Sequence, residues 1–382
     1  MTVSKVNLKL QLGKVLPSAA PAQIMEALSS VNISHGDSGP STFQLTFNAD
    51  RTAKFSNDYP VVSSPLLRAT NRVIISVELD STETVLMDGF ITHTELSYAE
   101  EQGNASYTVT GEDVSVMMSL FERSTEYPGL GDDLIVGVVL AKYMALGIVP
   151  EIVPNPKSPV SDPLDEVPQQ NCNDRDYISS LAQQNGYVFR VRPFLNKVNK
   201  AYWGPIVQIG VPQKPLNVNL GGASNVEHIQ FSYDALAPTL VHGMLQDGEP
   251  LEEDMPVITV DAVRLQPMAE HSGLVRNQPF VKNAAFQDSR LNFVRGMLEA
   301  QVTTDRSTDN VVSAQGTVDT IRYGAVIQSP GVIPVRGIGH SYDGNYYVSN
   351  ISHTIQDGQY KQDFTIQREG TGSTISNVGD LF

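Results

Sequence analysis

Apolar and polar residues alternate with a period of two through much of the first 122 residues, which predicts β-strands. The alternation is clearest in residues 6–12, 43–47 and 75–79, and residues 85–98 and 106–110 are further predicted strands. A proline near the start of residues 21–28 and an apolar run at 114–120 each indicate a short helix. Strands that close around one helix form a small barrel, so we expect a first β-barrel over residues 1–122.

The pattern changes to alternating helix and strand signals over residues 123–222. Asp132 and Asp133 open a predicted helix that Gly147 ends, because acidic residues favour the positive end of the helix dipole. After a proline-rich stretch, Asn173 can cap a second helix whose apolar side carries Tyr177, Ile178 and Leu181. Asn185 and Gly186 stop that helix, and residues 187–191 read as a strand. We predict an inserted α/β domain here.

Strand periodicity returns over residues 223–370, beginning with Ile229, Phe231 and Tyr233. Residues 311–323, 332–338, 346–355 and 360–368 are predicted strands, and Asp-Gly pairs at 343–344 and 357–358 favour hairpin turns. A helix predicted from Asp288 to Gln301 interrupts them. We expect a second barrel with a smaller helical insert at about 255–308. The two β regions share an order of elements but no close sequence repeat.

The acidic charge balance limits the possible partners. Acidic residues outnumber basic ones 42 to 26, for a formal net charge of -16, and no basic run or stripe is present. A nucleic-acid backbone needs a Lys/Arg surface, so a direct grip on nucleic acid is not expected. Any channel through the protein should be lined by polar and acidic side chains, without a lysine or arginine ring.

Cysteine content and hydropathy point to assembly in the cytoplasm. Cys172 is the single cysteine, which excludes an internal disulfide and a Cys-rich zinc site. The N-terminus has no signal-peptide core, and no apolar run reaches the length of a membrane span. We therefore expect synthesis and folding in the cytoplasm and no membrane insertion.

Several short motifs are candidates for chemistry, but none supports a catalytic, cofactor or metal site. Residues 35–40 (HGDSGP) resemble a serine-protease motif, but too few residues precede Ser38 to supply a histidine and an aspartate in that family's order. Residues 129–132 (GLGD) lack the lysine of a phosphate loop. The seven histidines show no metal-ligand spacing, and acidic residues 252–254 read as a solvated turn.

Three segments carry a resemblance to the late control D family, which comprises hub proteins of contractile phage tails and the hub part of VgrG proteins. The first combines residues 86–92 (LMDGFIT) with 107–113 (YTVTGED), and the second is the helix 174–187 (DRDYISSLAQQNGY). The third combines residues 344–353 (GNYYVSNISH) with 358–364 (GQYKQDF), similar to the family's closing hairpin. The motifs occur in the family's order over nearly the whole chain.

The resemblance implies a non-enzymatic baseplate hub of a contractile injection system or phage tail. Such a hub is a homotrimer of β-rich α+β subunits, each with two tail-tube-like β-barrels. Six barrels then match a hexameric tail tube above and a trimeric spike below, among other baseplate components. This chain departs from fused hub–spike proteins in having no long repetitive β-helical segment after residue 370. The spike would then be a separate protein.

Two other functions remain open from the sequence, and one terminal contact is predicted. A tube-initiating or tube-terminating protein would need only one barrel, and a hub-scaffold cell-wall hydrolase would need a carboxylate pair that does not stand out here.

Residues 371–382 read as a flexible tail of small polar residues. Within it, Val378, Leu381 and Phe382 are the candidate spike-docking residues, because they add apolar surface to a polar segment.

Overall fold

Strands dominate the architecture of the protein in a computed structural model. The described residues are 6–14, 16–49, 59–99, 104–155, 167–206, 210–245, 255–261, 267–276, 280–286, 293–356 and 358–374. The chain is organised as two β units, a first insert between them, and a second insert within the later unit.

The N-terminal β unit is built from antiparallel strands and two short helices. Its elements are β1 (Val6–Gly13), β2 (Ser18–Ala19), α1 (Ala22–Ala27), β3 (Leu28–Gly36), β4 (Thr42–Ala49), α2 (Pro60–Ser63), β5 (Arg72–Leu79), β6 (Thr82–Ala99) and β7 (Asn104–Asp113). A 3₁₀-helix, Val114–Met118, follows at once, because the Asp113 carboxylate accepts a 2.9 Å hydrogen bond from the Ser115 amide and caps it.

The α/β insert comes next, and its first helix begins at the predicted Asp132 but ends at Ala141, ahead of the predicted end at Gly147. It contains β8 (Thr125–Glu126), α3 (Asp132–Ala141), β9 (Ile148–Ile152), β10 (Gln169–Gln170), α4 (Asp174–Gln184), β11 (Tyr187–Leu195) and β12 (Val198–Pro205). The predicted cap of α4 is confirmed, since the Asn173 side chain accepts a 2.9 Å bond from the Asp176 amide. Tyr177, Ile178 and Leu181 are buried as predicted, and Gly186 adopts a φ of 68° where the helix stops.

The C-terminal β unit and the helical insert share the rest of the chain. The elements are β13 (Leu216–Asn217), β14 (His228–Tyr233), β15 (Thr239–Leu245), β16 (Met255–Ile258), β17 (Ala269–Ser272), α5 (Gly273–Arg276), β18 (Lys282–Ala285), α6 (Phe293–Asp309), β19 (Val312–Asp319), α7 (Thr320–Tyr323), β20 (Gly331–Arg336), β21 (Gly344–Gln356), β22 (Gln359–Arg368) and β23 (Gly370–Ser373). Of these, β15 to β18 with α5 and α6 form the helical insert. It therefore begins ahead of the predicted residue 255, because β15 pairs with β16 and β18.

The two β units have the same strand order. Along the sheet, the N-terminal unit runs β3-β4-β7-β6-β5-β1, and the C-terminal unit runs β14-β19-β22-β21-β20-β13. Leaving aside the two-residue β2 and taking the other strands of each unit in chain order, the first pairs with the fourth, and every other pairing also corresponds. The one difference is that β13 lies parallel to β20, whereas β1 lies antiparallel to β5. The later unit therefore repeats the earlier one in topology.

The units are joined edge to edge into a 13-stranded sheet. Strand β21 does this by changing partners along its length. Gly344–Val348 pairs with β20 inside its own unit, and Asn350–Gln356 pairs antiparallel with β3 of the other unit. A register shift at Ser349 on the β22 side marks the change.

Each β unit and each insert surrounds its own apolar cluster. Every strand of the N-terminal unit except the two-residue β2 contributes to one cluster, together with Ile24 of α1 and Val61 of α2. The C-terminal unit encloses another around Tyr346 and Phe364, and the α/β insert packs around Trp203. Burial of these side chains is what selects the face that each alternating strand turns inward.

Two sequence predictions are corrected by these elements. Residues 311–323 are not one strand: β19 ends at Asp319, whose carboxylate accepts bonds from the Ile321 and Arg322 amides and starts α7. The first residues of the predicted tail are also not a flexible segment, because β23 pairs with β17 of the helical insert. Gly370 permits that approach, since a Cβ there would lie 1.9 Å from the His271 carbonyl oxygen.

Candidate functional site

A continuous polar surface covers one face of the sheet across both β units. It spans the eight strands from β14 to β6 along the sheet. One cross-strand row contains, in order, Asp319, Lys361, Thr354, Asn32, Gln44, Thr110 and His93. The next row contains His228, Thr317, Asp363, Ser352, Ser34, Thr42 and Glu112. We call this surface the polar face.

The polar face exists because the alternate residues on the same strands are core residues. On β3, for example, Val31 and Ile33 are buried, while Asn32 and Ser34 between them are partly exposed. Seven strands at a spacing of about 4.8 Å give the row a width of about 29 Å. Most side chains in the two rows are uncharged and polar, and several of them are short serines and threonines.

Acidic groups outweigh basic ones on the polar face. Lys361 lies 2.9 Å from Glu227, and hydrogen bonding to that carboxylate raises the pKa of the lysine. Arg175 of α4 reaches Glu112 at 2.6 Å, so this cation is also paired. Asp363 accepts a 2.5 Å bond from Thr317, and Glu95 is exposed on β6. Within the described strands of this face, lysine and arginine thus form no ring.

A buried histidine pair lies behind the polar face where the two units join. The rings of His35 on β3 and His353 on β21 meet edge to face, with centroids 5.5 Å apart. His353 Nδ1 lies 2.8 Å from the Tyr360 hydroxyl and 3.3 Å from Gln362 Nε2. Burial, and then the nearby Arg192 charge, lower the pKa of His353 to about 3 and that of His35 well below its ordinary value. Both rings are neutral near pH 7.

The structure also places the residues of the HGDSGP and LMDGFIT motifs. His35 is buried at the junction whereas Ser38 is exposed on the following turn, so HGDSGP is a connection and not a triad. Asp88 of the LMDGFIT motif forms a two-point ion pair with Arg72, both contacts 2.7 Å, and accepts a 2.8 Å bond from Asn199 of the α/β insert. That motif residue therefore anchors the insert to the β unit.

The helix motif has an equivalent structural role. Asp174 at the start of α4 is buried and accepts bonds from Gln170 at 2.7 Å and Tyr143 at 2.8 Å. Burial opposes ionisation of Asp174, but these hydrogen bonds, with Lys142 and Arg123 nearby, outweigh it and lower its pKa. The carboxylate ties α4 to the segments before it.

The remaining candidates from the sequence are the tail residues, the acidic turn, a metal site and a membrane span. Val378, Leu381 and Phe382, and the acidic residues 252–254, lie outside the described residues. Among the residues that the structure does describe, no cluster of three His, Cys, Asp or Glu side chains has metal-binding geometry. No helix in the described ranges has the length and apolarity needed to span a membrane.

Comparison with known proteins shows a shared fold at low sequence identity. No protein-family model matches the chain, and no curated protein matches its sequence. A tail protein from Neisseria meningitidis MC58 aligns with a TM-score of 0.64 at 12% identity, covering 96% of this chain and 97% of that one. The 43 kDa tail protein of prophage MuSo2 from Shewanella oneidensis aligns with a TM-score of 0.64 at 13% identity, covering 96% and 99%. An Escherichia coli type VI secretion component aligns with a TM-score of 0.54 at 13% identity, covering 89% and 73%.

Proposed function

We propose that this protein is a structural hub of a phage-tail-like contractile injection machine. In this role, a homotrimer joins the hexameric inner tube to a trimeric spike, alongside other baseplate components. The observation that carries the proposal is the internal repeat: one chain holds two units of the same strand order, joined edge to edge. Three such chains present six units, which reconciles a sixfold partner with a threefold one.

The domain plan follows from this role. Residues 1–122 and 223–370 are the two tube-like β-barrels, residues 123–222 are the α/β domain, and residues 371–382 are the terminal tail, with β23 as its anchored start. The fold shared with two tail proteins and a type VI secretion component supports the assignment. We place the protein in particles assembled in the bacterial cytoplasm.

The polar face is the proposed wall of the channel. It continues from one unit into the other through the β3–β21 junction, and its cations Lys361 and Arg175 are paired with carboxylates. A wall of short polar and acidic groups repels anionic cargo and does not hold it, so transport needs no release step. Such a surface fits a conduit better than it fits an enzyme.

The mass and symmetry of the purified chain test this function. Light scattering should give about 125 kDa, three times the 41.6 kDa of one chain, and electron microscopy should show threefold symmetry. A ring of six single copies would instead support the tube-initiator alternative. Clearing of peptidoglycan in a zymogram would support the cell-wall hydrolase and contradict a purely structural role.

The terminal tail has a separate test. Val378, Leu381 and Phe382 are proposed to contact the spike, because apolar side chains in an extended polar segment suit strand addition or a small pocket. Deleting residues 376–382 should lower the fraction of particles that carry a spike, as counted in electron micrographs. Spikes kept at the wild-type fraction would show that other residues hold them.

A further inference from the structure

Strand β14 and the second half of β6 each have an edge with no partner strand among the described residues. Strand β14 pairs with β19 on one side only. The second half of β6, residues 92–99, pairs with β7 on one side, whereas the first half also pairs with β5. Long exposed edges of this kind invite pairing with another chain. We refer to residues 92–99 as the open half of β6.

The repeat identifies what belongs on the open half of β6. Strand β6 corresponds to β21, and each has its register shift against the next strand in chain order, at Thr92 in β6 and at Ser349 in β21. Beyond that shift, β21 pairs with β3. The strand that corresponds to β3 in the other unit is β14. The missing partner of β6 is therefore a copy of β14.

We propose that β14 of one protomer pairs antiparallel with the open half of β6 of the next protomer. The inference rests on the proposed trimer and names the surface that closes it. Around the ring, the β3–β21 junction inside each chain would alternate with a β14–β6 junction between chains. The contact is head to tail, and such a contact closes into a ring when the rotation per subunit permits.

Transferring the register of the internal junction gives the residue pairs. The internal pairs His353–Ile33 and Ile355–Val31 become Leu96–Phe231 and Tyr98–Ile229 between protomers. The side chains of Leu96 and Tyr98 are 46% and 65% exposed in the single chain, whereas Phe231 and Ile229 are half-buried. Pairing would bury this apolar surface, which explains why Leu96 and Tyr98 are exposed in the single chain.

The other face of the same strands is matched in polarity. In the transferred register, Glu95 lies opposite Ser232, and Ser97 lies opposite Gln230. Glu95 and Ser97 share the face of Thr108 and Ser106 of β7 across the ladder. The proposed junction thus continues the polar face on one side and the apolar core on the other, as the β3–β21 junction does.

Paired cysteine substitutions test the register directly in the full chain, with Cys172→Ser as background. One variant carries Ser97→Cys with Gln230→Cys, and another carries Leu96→Cys with Phe231→Cys. These two pairs lie at adjacent ladder positions, so one of them is a non-hydrogen-bonded pair. Matched controls combine Leu96→Cys with Gln230→Cys and Ser97→Cys with Phe231→Cys, which set the two thiols on opposite faces.

Under mild oxidation, at least one matched pair should give disulfide-linked trimers in non-reducing gels. We expect on the order of tenfold more cross-link than in either control, because a disulfide needs the two Cβ atoms about 3.5–4.5 Å apart. Light scattering on the same samples separates the possible failures. A trimer without cross-links in either matched pair would overturn this strand pairing and leave the trimer standing. A chain that stays monomeric through the micromolar range would overturn both.

Discussion

The two β units share one topology, but their large and small side chains lie on different strands of the matched pairs. At one matched position, Phe43 lies across from Gly111 in the N-terminal unit, and Ala314 lies across from Ile366 in the C-terminal unit. Two residues further along, Leu45 and Val109 correspond to Gly316 and Phe364. At the first position the large residue lies on one strand in the N-terminal unit and on the other strand in the C-terminal unit. At the second position, two residues of middle size in one unit correspond to a glycine and an aromatic residue in the other. The pair conserves volume, which is what a close-packed core requires.

The exchange of volumes explains the tight glycines. A Cβ on Gly111 would come within 2.4 Å of the Phe43 ring, and one on Gly316 within 2.6 Å of the Phe364 ring. Each glycine thus makes room for an aromatic ring on the neighbouring strand. The two units therefore share their strand pairing order and the register shifts at Thr92 and Ser349, but they do not share residue identity.

The largest effect should come from emptying one of these matched pairs. Phe43→Ala leaves a void beside Gly111 that the glycine cannot fill, so it should lower the free energy of unfolding by about 3–5 kcal/mol. Urea denaturation followed by circular dichroism measures the change. Ile366→Ala, the equivalent truncation in the other unit, should cost about 2–5 kcal/mol. A loss below about 1 kcal/mol for both would mean that these pairs are not packed as described.

A smaller effect is expected from acid at the β3–β21 junction. His353 has a folded-state pKa of about 3, whereas a histidine in the unfolded chain titrates near about 6.5. The unfolded chain therefore binds the extra proton first as the pH falls. Stability is fully present above about pH 6.5 and is lost as the pH drops toward about 3, by up to about 1.4 kcal/mol per pH unit for this group.

Urea midpoints at pH 7 and pH 5 check this dependence. The wild type should lose stability on acidification, and the doubly substituted variant His35→Gln with His353→Gln should lose distinctly less over the same interval. His340→Gln is the matched control, because His340 is exposed and pairs with Glu270 at the surface. Equal acid sensitivity in the wild type and the double variant would exclude the buried pair as its cause.

The smallest effect on stability is expected on the polar face. Gln44 and Gln315 occupy matched positions of the two units and are both exposed. Replacing both with lysine should change the free energy of unfolding by less than about 0.5 kcal/mol. It should also create binding to heparin that weakens with salt, since the wild-type face offers no free cation there. Binding of heparin by the wild type to the same extent would contradict an anion-repelling wall.

Local elements of the fold could be predicted from the sequence because their signals are local. The Asn173 cap, the apolar side of α4 and the alternation of β14 each specify a structure within a few residues. The turn after β19 departs from the pattern, because the apolar residues run on to Tyr323 whereas the strand stops at Asp319. The capping potential of Asp319 was the available signal.

The joining of the two units could not be predicted in this way. His35 and His353 are far apart in the chain, and nothing in their local sequences says that their strands pair. The repeat itself was visible only as a similar order of elements, because volumes are exchanged between partners such as Phe43 and Gly111. The charge of the sequence predicts the polar character of the proposed channel wall. The strands that form the wall can be identified only once the strand pairing is known.

The most direct test of the central claim is a three-dimensional reconstruction of the purified full-length chain by electron microscopy. We expect a closed ring of three protomers that shows six similar β units, with β14 of each protomer lying along residues 92–99 of the next. A ring of six protomers, or a trimer in which other surfaces touch and both of these edges stay open, would contradict it.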